Sequence, residues 1–218
     1  MTPFGKLKNS LSNVKQAFGT PDATLLTTGT PAWALIEDVQ LGTMTMSVGV
    51  DTFRVCTFVV QVRLDGEQPY QASVRQRVHE LQVARLPIGV PICARVDPAD
   101  RSRVVLDWDT PAPTVTVPPR TDGLGAAQVL ATGAPCTVVV VQHAPIGLRS
   151  ADGHPMHSLR LTVVPEQGSP YETQVGQAVP PAALPGLYPG AHLPARVHPV
   201  DPQVVAVDWH SVSMATSR

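Results

Sequence analysis

The most closely spaced pair of histidines in the sequence lies in His154-Pro-Met-His157. Two imidazoles three residues apart offer two nitrogen ligands to Zn or Cu, yet structural zinc is normally held by four ligands at recognisable spacings. No cysteine or acidic partner stands at such a spacing, so Ser150 to His157 reads as a polar hairpin tip with Asp152-Gly153 as its turn. No metal and no cofactor is expected. The cysteines Cys56, Cys93 and Cys136 form no CxxC pair, and their odd number suits a reducing compartment, the cytoplasm. No G-x-S-x-G elbow occurs, and Gly123-Leu-Gly125 follows a proline run and lacks the third glycine of a dinucleotide fingerprint. The sequence therefore reads as non-enzymatic, with no catalytic residue to name and a metal-dependent hydrolase as its third reading.

Any such residues would have to be carried by 218 residues with 16 Lys+Arg against 17 Asp+Glu, a formal net charge of −1. Near-neutral charge makes a nucleic-acid partner unlikely, because polyanion binders usually carry a basic surplus. Hydrophobic residues at 43% suffice for cores, and Gly 16 with Pro 23 mark a turn-rich globular chain. No apolar run approaches the ~18–20 residues that a membrane-spanning helix needs, and Met1 to Thr20 lacks the apolar stretch of a secretory signal.

Internal duplication is the strongest signal. Leu86–Trp108 lies over Leu187–Trp209 without a gap, with identities at Leu86/Leu187, Gly89/Gly190, Ala94/Ala195, Arg95/Arg196, Val96/Val197, Pro98/Pro199, Asp100/Asp201, Val104/Val205, Asp107/Asp208 and Trp108/Trp209. The same offset pairs Tyr70 with Tyr171 and Gln76 with Gln177, and Leu26-Thr-Thr-Gly-Thr-Pro31 matches Leu130-Ala-Thr-Gly-Ala-Pro135. The division expected is a helix over 1–21, a first β-repeat over 22–110, a Pro-rich linker over 111–124, a second β-repeat over 125–210 and a tail over 211–218.

The repeated pattern, a Pro69-Tyr70 strand start followed by Arg95-Val96-Asp97-Pro98 and Leu106-Asp107-Trp108, resembles a repeated β-domain found in uncharacterised proteins of high-GC actinobacteria. The resemblance covers both repeats and implies a shared fold and lineage. It implies no activity.

Within each copy apolar residues alternate with period two, the mark of strands with one buried face. Strands are expected near 31–40, 54–64, 70–79, 91–97 and 103–108, with counterparts near 135–143, 157–165, 171–179, 192–198 and 203–209. A short crossing from Glu80 to Gly89 joins the third to the fourth. The fold class is mainly β: a tandem duplication of a small five-stranded barrel of the OB or SH3-like type, with a sandwich as the alternative. The linker, rich in proline, is expected to run as an extended spacer.

The repeat motif reads as structural. Trp108 and Trp209 have the area to anchor small cores, with Asp107 and Asp208 capping turns or pairing with Arg95 and Arg196. Gln76 and Gln177 fall on the apolar side of their strand, where a buried amide must find partners.

Residues 3–18 read as one helix, begun by Thr2 and Pro3 and closed by Gly19. Phe4, Leu7, Leu11, Val14 and Phe18 share one face, flanked by Lys6, Lys8 and Lys15 with no acid among them. Such a helix suits a partner's groove, an anionic membrane surface on the inner face, or a second copy in a homo-oligomer. The function expected is a non-catalytic binding or scaffold protein, its helix docking on an unknown protein partner or a membrane. An OB-type single-stranded nucleic-acid binder using Arg75, Arg77 and Arg85 is the alternative.

Overall fold

The computed structural model describes residues 20–120, 122 and 124–216. The helix expected over 3–18, with its stripe Phe4, Leu7, Leu11, Val14 and Phe18 and its lysines Lys6, Lys8 and Lys15, lies outside the described residues. The chain divides into two compact units, Met1–Val115 and Thr116–Arg218.

The first unit opens with a short helix, α1 (Ala23–Thr28), whose start is fixed by Asp22 accepting from the N–H groups of Thr24 and Leu25 at 3.0 and 3.3 Å. It stops at Gly29, where an added Cβ would lie 2.6 Å from the Leu25 carbonyl oxygen and 2.9 Å from Arg95 Cβ. Strands β1 (Thr30–Val48), β2 (Asp51–Arg63), β3 (Tyr70–His79), β4 (Pro91–Val96) and β5 (Val104–Asp107) follow, with a four-residue helix α2 (Glu80–Val83) between β3 and β4. They form an antiparallel sheet in the order β3-β2-β1-β4-β5. One face buries Ile36, Phe58, Val60, Val62, Val96 and Leu106, all essentially inaccessible, each such side chain contributing about 1.5–3 kcal/mol.

The second unit repeats this plan. Helix α3 (Ala126–Thr132) ends at Gly133, and strands β7 (Ala134–Ser150), β8 (Pro155–Pro165), β9 (Tyr171–Ala178), β10 (His192–Val197) and β11 (Val205–Val207) take the order β11-β10-β7-β8-β9. A 3-10 helix, Pro181–Gly186, replaces α2, and a terminal helix α4 spans Trp209–Thr216. A sixth strand, β6 (Val115–Val117), pairs with β7. Leu159, Leu161, Val138, Val140, Val207 and Trp209 centre this core.

Several expectations are corrected. The sheets are not closed barrels: among the described residues the edge strands β3 and β5 share no backbone ladder, nor do β9 and β11. Part of the linker is a strand instead of an extended spacer, because Val115-Thr-Val117 is a β-branched run free of proline. Trp209 opens a helix that takes in most of the expected tail, whereas it was expected to close a strand. Strand β1 runs to Val48, well past 40, and β7 to Ser150, well past 143. Beyond those points β1 is held by its hairpin ladder with little burial of either face, and in both strands a bulge breaks the phase of the alternation that marks a strand in sequence.

Candidate functional site

In each unit the edges of the sheet are joined by one side chain. Gln76 on β3 is buried; its Nε2 donates to the Leu106 carbonyl at 2.9 Å and its Oε1 accepts from the Leu106 N–H at 2.9 Å. Gln177 on β9 does the same with Val207, at 2.9 and 2.9 Å. An amide placed this way reproduces the paired bonds of a strand residue and satisfies all four buried groups. Tyr70 and Tyr171 reach the turn before the fifth strand, donating to the carbonyls of Arg101 and Pro202 at 3.2 and 2.6 Å.

The Asp-Trp pairs diverge. Asp107 accepts from Arg95 Nε at 3.2 Å and from the Asp109 N–H at 3.3 Å. Burial pushes its carboxyl up, but the hydrogen bonds from Thr110, Arg95 and the Asp109 N–H, with the charge of Arg95, hold it below the ordinary carboxylate range. Asp208 instead caps α4, accepting from the N–H groups of His210 and Ser211 and from Ser211 Oγ at 2.7 Å; these bonds hold its carboxyl down against burial. Arg196 donates to the Gly133 carbonyl at 2.9 Å. Trp108 packs on Phe58 with ring centroids 5.7 Å apart, and its buried Nε1 has no hydrogen-bond partner. A cleft of about 360 Å³ runs past Pro87, Pro91, Asp107, Trp108, Thr110 and Pro111. These residues thus build the fold, and Asp107 and Trp108 border a hollow.

The hairpins carry the differences between copies. Strands β1 and β2 project beyond the sheet to a two-residue turn at Gly49-Val50, where Gly49 takes φ +64° at the position a type II′ turn reserves for glycine. Near the base, Gly42-Thr43-Met44 bulges opposite Val55, and an added Cβ on Gly42 would lie 2.4 Å from the Val55 carbonyl oxygen. Leu41, Met44, Val48 and Val50 are 53%, 44%, 55% and 99% exposed. Strand β4 covers only Thr30–Leu35 of β1, and an isolated bridge joins Ile36 to Ile88. From Asp38 onward the outer edge of β1 has no strand partner among the described residues. No charge and no proline interrupts Val39–Val50. The equivalent stretch of β7 contains Pro145 and Arg149 and buries Leu148. The hairpin of the second unit is thus guarded by proline and charge, and that of the first is not.

In the second hairpin, His157 does not meet His154. It meets His143 of β7, Nδ1 to Nδ1 at 3.3 Å with ring centroids 5.5 Å apart. A bulge at Val141 shifts the register from Val140↔Leu161 to Gln142↔Arg160, placing His143 in phase with Val140 and on the face of buried Leu159. Burial, then the neighbouring His143, push His157 below the ordinary imidazole value, so it is neutral at pH 7. The bulge breaks the period-two count, and no signal in the sequence marks it. Among the described residues no group of three or more His, Cys, Asp or Glu gathers as a metal centre.

The basic residues are largely engaged. Arg54 pairs bidentately with Glu80, at 2.7 Å for Nη2 and 3.1 Å for Nε, and Arg77 lies over the Phe53 ring at 5.3 Å. The three cysteines are buried and free, and burial pushes each thiol up. Among the described residues no helix is long and apolar enough to cross a membrane. No family model, curated protein or solved structure matches the chain.

Proposed function

We propose that the protein is a non-catalytic binding protein, a tandem pair of β-domains in which the projecting hairpin of the first docks on a partner protein. The exposed row Leu41, Met44, Val48 and Val50 beside an open strand edge carries this reading. Single exposed apolar residues are ordinary, whereas several on one projecting arm mark an interaction site. The arm is uncharged from Val39 to Val50, so it offers nothing to a polyanion or to anionic headgroups. An apolar protein surface suits it, with a strand added along Thr45–Val48 beyond the bulge.

The amphipathic stripe Phe4, Leu7, Leu11, Val14 and Phe18, with Lys6, Lys8 and Lys15, is the second contact in this proposal, on the same partner or against an anionic membrane. Near an anionic surface each lysine adds only about 1 kcal/mol, so membrane residence is reversible. The buried unpaired thiols support a reducing, cytoplasmic address. An OB-type reading of each domain draws support from the order β3-β2-β1-β4-β5, from α2 between β3 and β4, and from the edges meeting at Gln76. Nucleic-acid binding draws less, since Arg77, one of the three arginines it would use, lies over the Phe53 ring.

The test is recovery of partners under native conditions by wild type, by the double variant Met44→Lys/Val50→Lys, and by Leu11→Asp. A partner lost with the hairpin variant supports the reading. Recovery unchanged by the hairpin variant overturns the hairpin as the docking element, whatever Leu11→Asp does.

A further inference from the structure

Among the described residues, His143 and His157 are a pair of titratable side chains whose nitrogens converge without a structural need for them. The first unit supplies the comparison: at the equivalent positions, set by the register pairs Val39↔Phe58 and His143↔Leu159, and Leu41↔Cys56 and Pro145↔His157, it carries Val39 and Cys56. Two apolar side chains therefore satisfy the same architecture, and the bulge that turns His143 inward has its counterpart at Glu37. The fold does not ask for imidazoles there.

We infer that His143 and His157 form a site for a borderline divalent cation, Zn²⁺ in the first instance, specific to the second unit. With metal–nitrogen bonds of about 2.0–2.1 Å, a 3.3 Å separation of the two Nδ1 atoms subtends about 107° at the ion, close to the tetrahedral angle. Two protein ligands leave two positions to water, which His143, half-buried, lets in. On binding, the ion takes the lone pairs of both Nδ1 atoms; the ring that held the proton between them gives it to solvent and takes one from solvent at Nε2, so both imidazoles stay neutral. No free cation opposes the ion on the neighbouring strand positions: Arg160, in register with Gln142, belongs to the other face of the strands and is paired with Glu172 at 2.8 Å. Gln177, beside His157 on β9, is fully used by Val207. Imidazole nitrogen without thiolate or carboxylate selects Zn²⁺, Cu²⁺ or Ni²⁺ over Mg²⁺ and Ca²⁺.

The experiment is calorimetric titration of the full chain with ZnCl₂ in a non-chelating buffer, with melting followed in parallel. Wild type is expected to bind one ion per chain and to melt higher with Zn²⁺. His143→Val, which installs the residue of the first unit, and His143→Gln are each expected to weaken binding at least about tenfold and to abolish the melting shift. His154→Ala is expected to bind as wild type does. No binding by wild type at millimolar Zn²⁺ overturns the inference, as does equal binding by wild type and both His143 variants. Loss of binding in His154→Ala alone overturns it too, since the site would then be the sequence neighbours and not the cross-strand pair.

Discussion

Asp107 and Asp208 hold the same position in the duplicated sequence and take different partners: Asp107 binds the Arg95 guanidinium, and Asp208 caps the helix that starts at Trp209. The divergence follows from the next residues. Asp107-Trp108 runs into Asp109-Thr110-Pro111, where proline disfavours a helix, whereas Asp208-Trp209 runs into His210-Ser211-Val212. Arg196, deprived of its aspartate, serves the carbonyl of Gly133 instead.

Both carboxyls sit below the ordinary range, and that fixes how stability depends on acid. A depressed value in the folded state means that the unfolded chain takes up protons first as pH falls. The stabilisation is therefore complete above the ordinary carboxylate range and lost as pH drops through and below it. Asp107→Asn and Asp208→Asn are each expected to flatten the acid limb of a stability–pH curve measured by urea unfolding. Asp208→Ala is further expected to cost about 1 kcal/mol at neutral pH through loss of the cap.

Gln76→Leu is expected to be far more costly than an ordinary polar-to-apolar change, because it strands the N–H and carbonyl of Leu106 in the core. Two unsatisfied groups cost about 2–6 kcal/mol together. Gln76→Glu keeps an acceptor for the N–H but loses the donor and buries a charge. Its loss is expected to be the larger at neutral pH and to shrink as the carboxyl protonates. Chemical denaturation at two pH values separates these outcomes.

Gly133→Ala is expected to destabilise by about 1–3 kcal/mol, through overpacking. An added Cβ there meets two backbone oxygens, of Val129 at 2.5 Å and Val197 at 2.6 Å. Gly29→Ala is expected to cost less, since its second contact under 3.0 Å, Arg95 Cβ at 2.9 Å, is longer than the 2.6 Å from Gly133 to the Val197 oxygen. Comparison of melting temperatures checks the ranking.

Native protein is expected to react with a thiol-specific reagent only as fast as it unfolds. All three cysteines are buried, and burial keeps them as unreactive thiols. A fast phase accounting for even one thiol would contradict this.

The duplication and the alternation of β3, from Tyr70 to Val78, were legible in the sequence, and so was the inward phase of Gln76 and Gln177. Their partners were not, because a glutamine's reach across to an edge strand depends on how the sheet curls and on nothing local. The outer part of β1 was missed although Thr43-Met-Thr-Met-Ser47 alternates polar with apolar, because the bulge at Gly42-Thr43-Met44 breaks its phase with the strand before it. His143 was missed for a different reason: its phase depends on the extra residue at Val141.

That extra residue acts as a parity bit. Counted from Val140, Gln142 to Pro145 face the side opposite to the one a regular strand would give them, as far as the second irregularity between Pro145 and Arg149. Glu37 sets the same bit in the first unit. Deleting either residue would leave the ladder intact but exchange the two faces of the strand as far as its next irregularity: the inward histidine of one copy, or Val39 of the other, would turn to solvent. What each hairpin presents to its surroundings is therefore governed by whether a count is odd or even, independently of which side chains it carries.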